Sequence, residues 1–101
     1  GHNQKRGIKM IKYKLKNPVV IGDETIEEIH LEDPTCEKLK KFNVDLSEEA
    51  LLLCEGQYRI VCACAENVHE GHILKMKGGD LLRCSRECLG FFRLGSQADP
   101  E

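Results

Sequence analysis

Ser47–Val68, SEEALLLCEGQYRIVCACAENV, is the stretch on which the fold turns. Its apolar residues Leu51, Cys54, Tyr58, Val61, Ala65 and Val68 fall alternately three and four positions apart. That spacing lays one continuous seam along an α-helix. Ser47 suits the N-cap, and Glu48 and Glu49 suit the positive end of the helix dipole. Gly56 lowers helix propensity without breaking the pattern. The expectation is one long helix beginning at Ser47.

Toward the N-terminus the period changes from helical to strand-like. Ile11, Tyr13 and Leu15 alternate with Lys12, Lys14 and Lys16, so Met10–Ile21 reads as a strand interrupted at Asn17-Pro18. A turn at Gly22-Asp23-Glu24-Thr25 leads into a second strand over Thr25–Leu31. There Ile29 and Leu31 share a face with Thr25 and Glu27 while Ile26 points the other way, an imperfect alternation that predicts a bulge or a partly exposed face. Asp33-Pro34 reads as the cap and first position of a short helix to about Lys41, anchored by Leu39 and Phe42. Beyond Asn67 the chain turns, and His72–Met76 supplies at most one further helical turn. Gly78-Gly79 reads as a break, and Asp80 caps a last helix through Leu81, Leu82, Cys84, Cys88, Leu89, Phe91 and Phe92. The fold class is α+β: an N-terminal β-hairpin followed by three to four α-helices packed as a small helical module. One domain is expected over 10–94. Residues 1–9 read as a tag remnant (Gly1-His2) and flexible N-terminus, and 95–101 as a disordered tail.

Composition narrows the functional classes. A chain of 101 residues, 41% apolar and 32% charged, buries a modest single core. With 15 basic and 17 acidic side chains its net charge is −2, which lacks the basic excess of a phosphate-backbone binder. No apolar run reaches the ~20 residues of a membrane span, and no leader with an apolar centre is visible. A cytoplasmic location is expected, with neither nucleic acid nor membrane as partner.

The six cysteines test a metal reading. Cys62 and Cys64, two apart on a helix, diverge by roughly 200° and cannot share an ion. Cys84 and Cys88, four apart, share a face but lack the spacing of a zinc knuckle. Small buried hydrophobes in a reducing compartment is the stronger reading, so no cofactor or metal is expected. Catalysis has no better footing. His69 and His72 flank a turn and could approach a cysteine, yet nothing in their spacing requires it. His30 among Glu27, Glu28 and Glu32 fits a surface salt bridge. Gly78-Gly79-Asp80 lacks the Lys-Ser/Thr ending of a phosphate loop, and no catalytic residue is assigned. Lys12, Lys14 and Lys16 form the solvent face of the first strand, where lysine also guards an open edge. The alternative is a small metal- or nucleic-acid-binding regulator using Cys84 and Cys88 or the basic N-terminal strand.

In order and spacing, the motifs resemble the phage tail assembly chaperone family of Mu-like contractile-tailed phages and prophages. The resemblance rests on Ile11-Lys12-Tyr13-Lys14-Leu15, Gly22-Asp23-Glu24-Thr25-Ile26, and Ile29-His30-Leu31-Glu32-Asp33-Pro34-Thr35 in the first half. In the second half it rests on the helical turn Ile73–Met76, Gly79-Asp80-Leu81-Leu82, and Leu89-Gly90-Phe91-Phe92. It covers residues 10 to 94. The chain departs from the family pattern in its cysteine content and in the proline-free segment Asn67–Gly71.

The resemblance implies a non-enzymatic protein of the host cytoplasm, absent from the mature virion. Such a protein binds the tape measure protein, keeps it soluble, and recruits tail-tube subunits as they polymerise around it. In many relatives a frameshift adds a longer product. The surface expected to hold a client helix is Leu52, Leu53, Ile60, Leu89, Phe91 and Phe92. Self-association through that surface or through the hairpin edge is the other physical outcome.

Overall fold

The computed structural model describes residues 10–92. The expected tag remnant and flexible N-terminus over 1–9 and the expected disordered tail over 95–101 lie outside the described residues. The α+β architecture is as the sequence predicts: a two-stranded antiparallel hairpin of β1 (Met10–Ile21) and β2 (Glu24–Glu32), then four short helices. These are α1 (Cys36–Lys41), α2 (Cys54–Cys64), α3 (Glu70–Leu74) and α4 (Gly78–Leu89), with 3₁₀ turns at Ala50–Leu52 and Gly90–Phe92. No helix among the described residues is long and apolar enough to cross a membrane.

The hairpin closes through Gly22 and Asp23, with Ile21 opposite Glu24. Gly22 has φ 61 and Asp23 does not take a positive φ, the pattern of a type II′ turn that matches strand twist. The irregularity falls on β1 rather than β2. Lys14 pairs with Glu28 and Val19 with Ile26, so the four residues Leu15–Pro18 oppose Glu27 alone. Pro18 has no amide to lose there. The bulge turns both Leu15 and Val19 inward, onto the buried Ile29 and Leu31 of β2.

Helix boundaries differ from the sequence reading at each start, and each difference has a local cause. α1 begins two residues later than Asp33-Pro34 suggested. Thr35 is its cap, with Oγ1 accepting from Lys38 N at 3.2 Å. It ends in a Schellman motif: Asn43 takes φ 54, Asn43 N donates to Lys40 O, and Val44 N donates to Leu39 O. Ser47 does cap, but only the 3₁₀ turn, with Oγ accepting from Ala50 N at 3.2 Å. Leu53 is then extended (φ −105, ψ 149), and the true helix starts at Cys54.

Gly56 explains the interruption. The turn folds back onto the first turn of α2 so closely that a Cβ at Gly56 would overlap the Ala50 carbonyl. Gln57 Nε2 donates to Leu51 O at 3.2 Å and ties the turn down. The predicted seam is therefore broken: Leu51 is buried, while Cys54 is exposed.

The far end of α2 is also corrected. The helix stops at Cys64, not Val68. Ala65 is extended (ψ 132) and bridges Leu31, and Glu66 N donates to His30 O at 2.8 Å. Asn67 completes the link, with Oδ1 accepting from His30 N and Nδ2 donating to Glu28 O. The edge of β2 thus captures residues that helical periodicity alone would keep in the helix. α2 packs on α4, α1, α3 and β2. Its second half is consequently buried all round: Ile60, Val61, Cys62, Ala63 and Cys64.

α3 is capped by His69 and His72 reciprocally, His69 Nδ1 accepting from Gly71 N and His72 Nδ1 from His69 N. Gly78-Gly79 is no break. It forms the first turn of α4, so Asp80 lies inside the helix instead of capping it.

Candidate binding groove

Among the described residues six large apolar side chains stand well out in solvent. Met10, Val20 and Leu74 lie apart from one another, and the other three fall in the segment that faces α4. Leu52 is 79% exposed, Leu53 62% and Leu46 43%. Leu52 and Leu53 face outward because the 3₁₀ turn that buries Leu51 must send its next two residues away from the core. Leu82 and Leu89, seven positions apart, lie on one face of α4. A groove of about 480 Å³ runs between these elements. Leu46, Leu51 and Leu52 line one wall, and Leu82, Leu89 and Phe92 the other. Glu48 and Arg86 place one charge of each sign at its rim. Ser85 also lines it, with its hydroxyl turned back to Leu82 O at 2.7 Å. The groove is apolar, with few polar groups to fix an orientation.

Of the six residues expected at a client surface, Leu52, Leu89 and Phe92 line this groove. Leu53 stands exposed next to it, and Phe91 is half-buried against the core. Ile60 is a correction: it is fully buried, because α2 is covered on every side at that point. Leu46 and Leu82 were missed as surface. The seven-residue step from Leu82 to Leu89 was a usable signal. Leu46 had none, since its position depends on the Schellman turn at Asn43.

The opposite side of α4 is polar and closed. Asp80, 0% exposed, accepts from Tyr13 OH (2.9 Å) and Lys16 N (3.0 Å) through Oδ1, and from Asn17 N (3.0 Å) through Oδ2. Arg83 Nε donates to Tyr13 OH at 2.9 Å, and its Nη2 lies 3.5 Å from Asp80. Burial alone would raise the Asp80 carboxyl. The Lys16 and Asn17 amides, then Tyr13 and Arg83, outweigh it and hold the carboxyl below the usual carboxylate range. Burial also raises the Tyr13 hydroxyl. The carboxylate therefore satisfies the amides that the β1 bulge frees from the ladder, and fastens α4 to the hairpin.

The remaining candidate groups are occupied by structure. Cys62, Cys64, Cys84 and Cys88 are buried, Cys36 and Cys54 exposed, and all six are free. Burial pushes the Cys62 thiol up to about 11 and the Cys84 thiol up to about 12. Hydrogen bonding to Cys64 and burial raise Cys88. Thiols raised by burial in this way behave as small neutral core side chains. Among the described residues no three His, Cys, Asp or Glu side chains converge as a metal site. His72 is buried, with Nε2 2.9 Å from Glu24 Oε1 and Nδ1 taken by His69 N. His30 pairs with Glu28 at 2.8 Å. Lys12, Lys14 and Lys16 are exposed.

Searches of curated proteins and of solved structures return no match. A sequence family described as "Phage tail assembly chaperone proteins, E, or 41 or 14" matches residues 12–93, from the first strand through α4 and the turn that follows it. The chain belongs to the phage tail assembly chaperone family.

Proposed function

We propose that this protein is a non-enzymatic chaperone that holds an amphipathic helical segment of the tape measure protein in the groove beside α4. In this reading it works in the host cytoplasm, passes its client to tail-tube subunits that it recruits, and does not remain in the mature virion. The observation that carries the reading is the convergence of Leu46, Leu52, Leu82, Leu89 and Phe92 on one open apolar groove. A client helix would insert side chains at positions i, i+3 or i+4, and i+7. Each methylene removed from water contributes about 0.8 kcal/mol. Little of this binding depends on a fixed polar geometry. Such a groove tolerates varied apolar sequence, as a holder of a long apolar helix requires. Glu48 and Arg86 would select the direction of the bound helix through its flanking charges.

Co-expression with the tape measure protein is the test. The expected result is a soluble complex that co-elutes and is lost on Leu52→Asp or Leu89→Asp. A client equally insoluble with and without the chaperone would overturn the reading.

A further inference from the structure

The two edges of the hairpin differ. In an antiparallel pair, opposed residues alternate between those that exchange hydrogen bonds and those whose main-chain groups point away from each other. Lys12 faces His30, and Lys14 faces Glu28. The main chain of His30 and the carbonyl of Glu28 bond outward, to Asn67 and Glu66. The two pairs are therefore of the second kind, and the main-chain groups of Lys12 and Lys14 point out on the opposite edge. Among the described residues nothing bonds to them there. The next amides along, Lys16 N and Asn17 N, are taken by Asp80. One edge is closed by Asn67, and among the described residues the other is open from Met10 to Lys14.

We infer that this open edge of β1 docks an extended segment of another protein that carries acidic side chains at alternate positions. Lys12 and Lys14 are exposed on one face of the strand, and neither has an ion pair among the described residues. A second copy pairing in register through the same edge would set lysines beside lysines, which is unfavourable. Acidic residues opposite Lys12 and Lys14 reverse that sign. The intervening positions of the guest would lie on the face of Ile11 and Tyr13, which are half-buried, so they favour apolar side chains. Main-chain bonding supplies affinity and the lysine pair supplies selectivity. Asp80 sets the length, since it closes the edge after Lys14.

This inference is independent of the groove, and its test uses the full chain with a synthetic seven-residue peptide of alternating Glu and Val. Binding is read from backbone amide exchange and resonance shifts of Met10–Lys14. The acidic peptide is expected to slow exchange at Lys12 and Lys14. The same peptide N-methylated at alternate residues is expected to bind at least about tenfold more weakly, because it keeps its charge but loses the main-chain donors. Replacing Glu by Lys in the peptide is expected to abolish binding. Lys12→Pro removes an outward N–H that the hairpin does not use, so it should fold and lose the peptide. Equal binding by the N-methylated peptide would overturn the inference by reducing it to charge attraction. Protection of the Lys12 and Lys14 amides in the free protein, with a dimer in solution, would overturn it in favour of self-pairing.

Discussion

The two long sides of α4 invert the usual placement of charge and hydrocarbon. On one side a carboxylate, Asp80, is fully buried; on the other Leu52 is 79% exposed beside Leu82 and Leu89. A buried charge and an exposed apolar cluster are the two informative departures from the inside-outside rule. They are informative in opposite senses. Asp80 has its acceptor capacity filled by amides and hydroxyl from β1, so its burial is structural. The groove leucines have no equivalent complement within the described fold, and theirs is the surface that the proposed client would cover. Stability and binding should therefore separate cleanly across this helix.

Removing the closed side is the largest blow. Asp80→Ala leaves two bulge amides and the Tyr13 hydroxyl without their acceptor and loosens α4 from the hairpin. A loss of roughly 2–4 kcal/mol is expected in urea unfolding. A change below about 0.5 kcal/mol would mean that water replaces the carboxylate at no cost and that the junction is incidental. Gly56→Ala comes next, at about 1–3 kcal/mol, because the new methyl meets the Ala50 carbonyl. It sharpens the comparison, since the same crossing both packs Leu51 and exposes Leu52. A Gly56→Ala protein that still folds should show altered groove binding as well as a lower unfolding midpoint.

Acid separates the sides by another route. The Asp80 carboxyl is more acidic in the folded chain than its ordinary 3.8, so near that pH the unfolded state binds more protons. Its contribution is complete above the unfolded value and is lost as pH falls through the folded one. Asp80→Asn should be about 1–2 kcal/mol less stable than the natural protein at pH 7, with the gap narrowing below about pH 4. A gap that stays constant to pH 2.5 would show that the carboxylate's charge plays no part. Groove substitutions should give parallel stability curves at every pH.

These contrasts also mark what the sequence made legible. Alternation in Ile11–Leu15 and the Gly22 turn fixed the hairpin, because strand period and turn chemistry are local. Helical period placed α2 and α4 but misplaced their ends. The seam from Leu51 to Val68 ignored two non-local events: the Gly56 crossing, and the capture of Ala65–Asn67 by β2. Asp80 illustrates the same limit. Before a helix it reads as a cap, and only the β1 bulge makes it the acceptor for another element. At the groove, Leu52, Leu89 and Phe92 were visible as surplus apolar residues, whereas Ile60 was not distinguishable from them. Sequence shows that a residue is apolar, but how many elements cover it is decided by packing.

The smallest effect on stability should accompany the largest effect on client binding. Leu52→Asp replaces a side chain already in solvent, on a turn whose bonds run through Ser47 and Ala50 rather than through Leu52's side chain. A stability change within about 0.5 kcal/mol is expected. The added carboxylate would nonetheless lie in the wall of an apolar groove, where an inserted client side chain would have to strip its water. That desolvation, about 1–3 kcal/mol or more, has no partner to offset it unless Arg86 swings across. The double variant Leu52→Asp with Arg86→Ala removes that escape and should bind more weakly than either single variant. If Leu52→Asp instead unfolds the protein, the turn is part of the core and the division between the two sides of α4 fails. If it folds and still holds the client, the groove is not where the client lies.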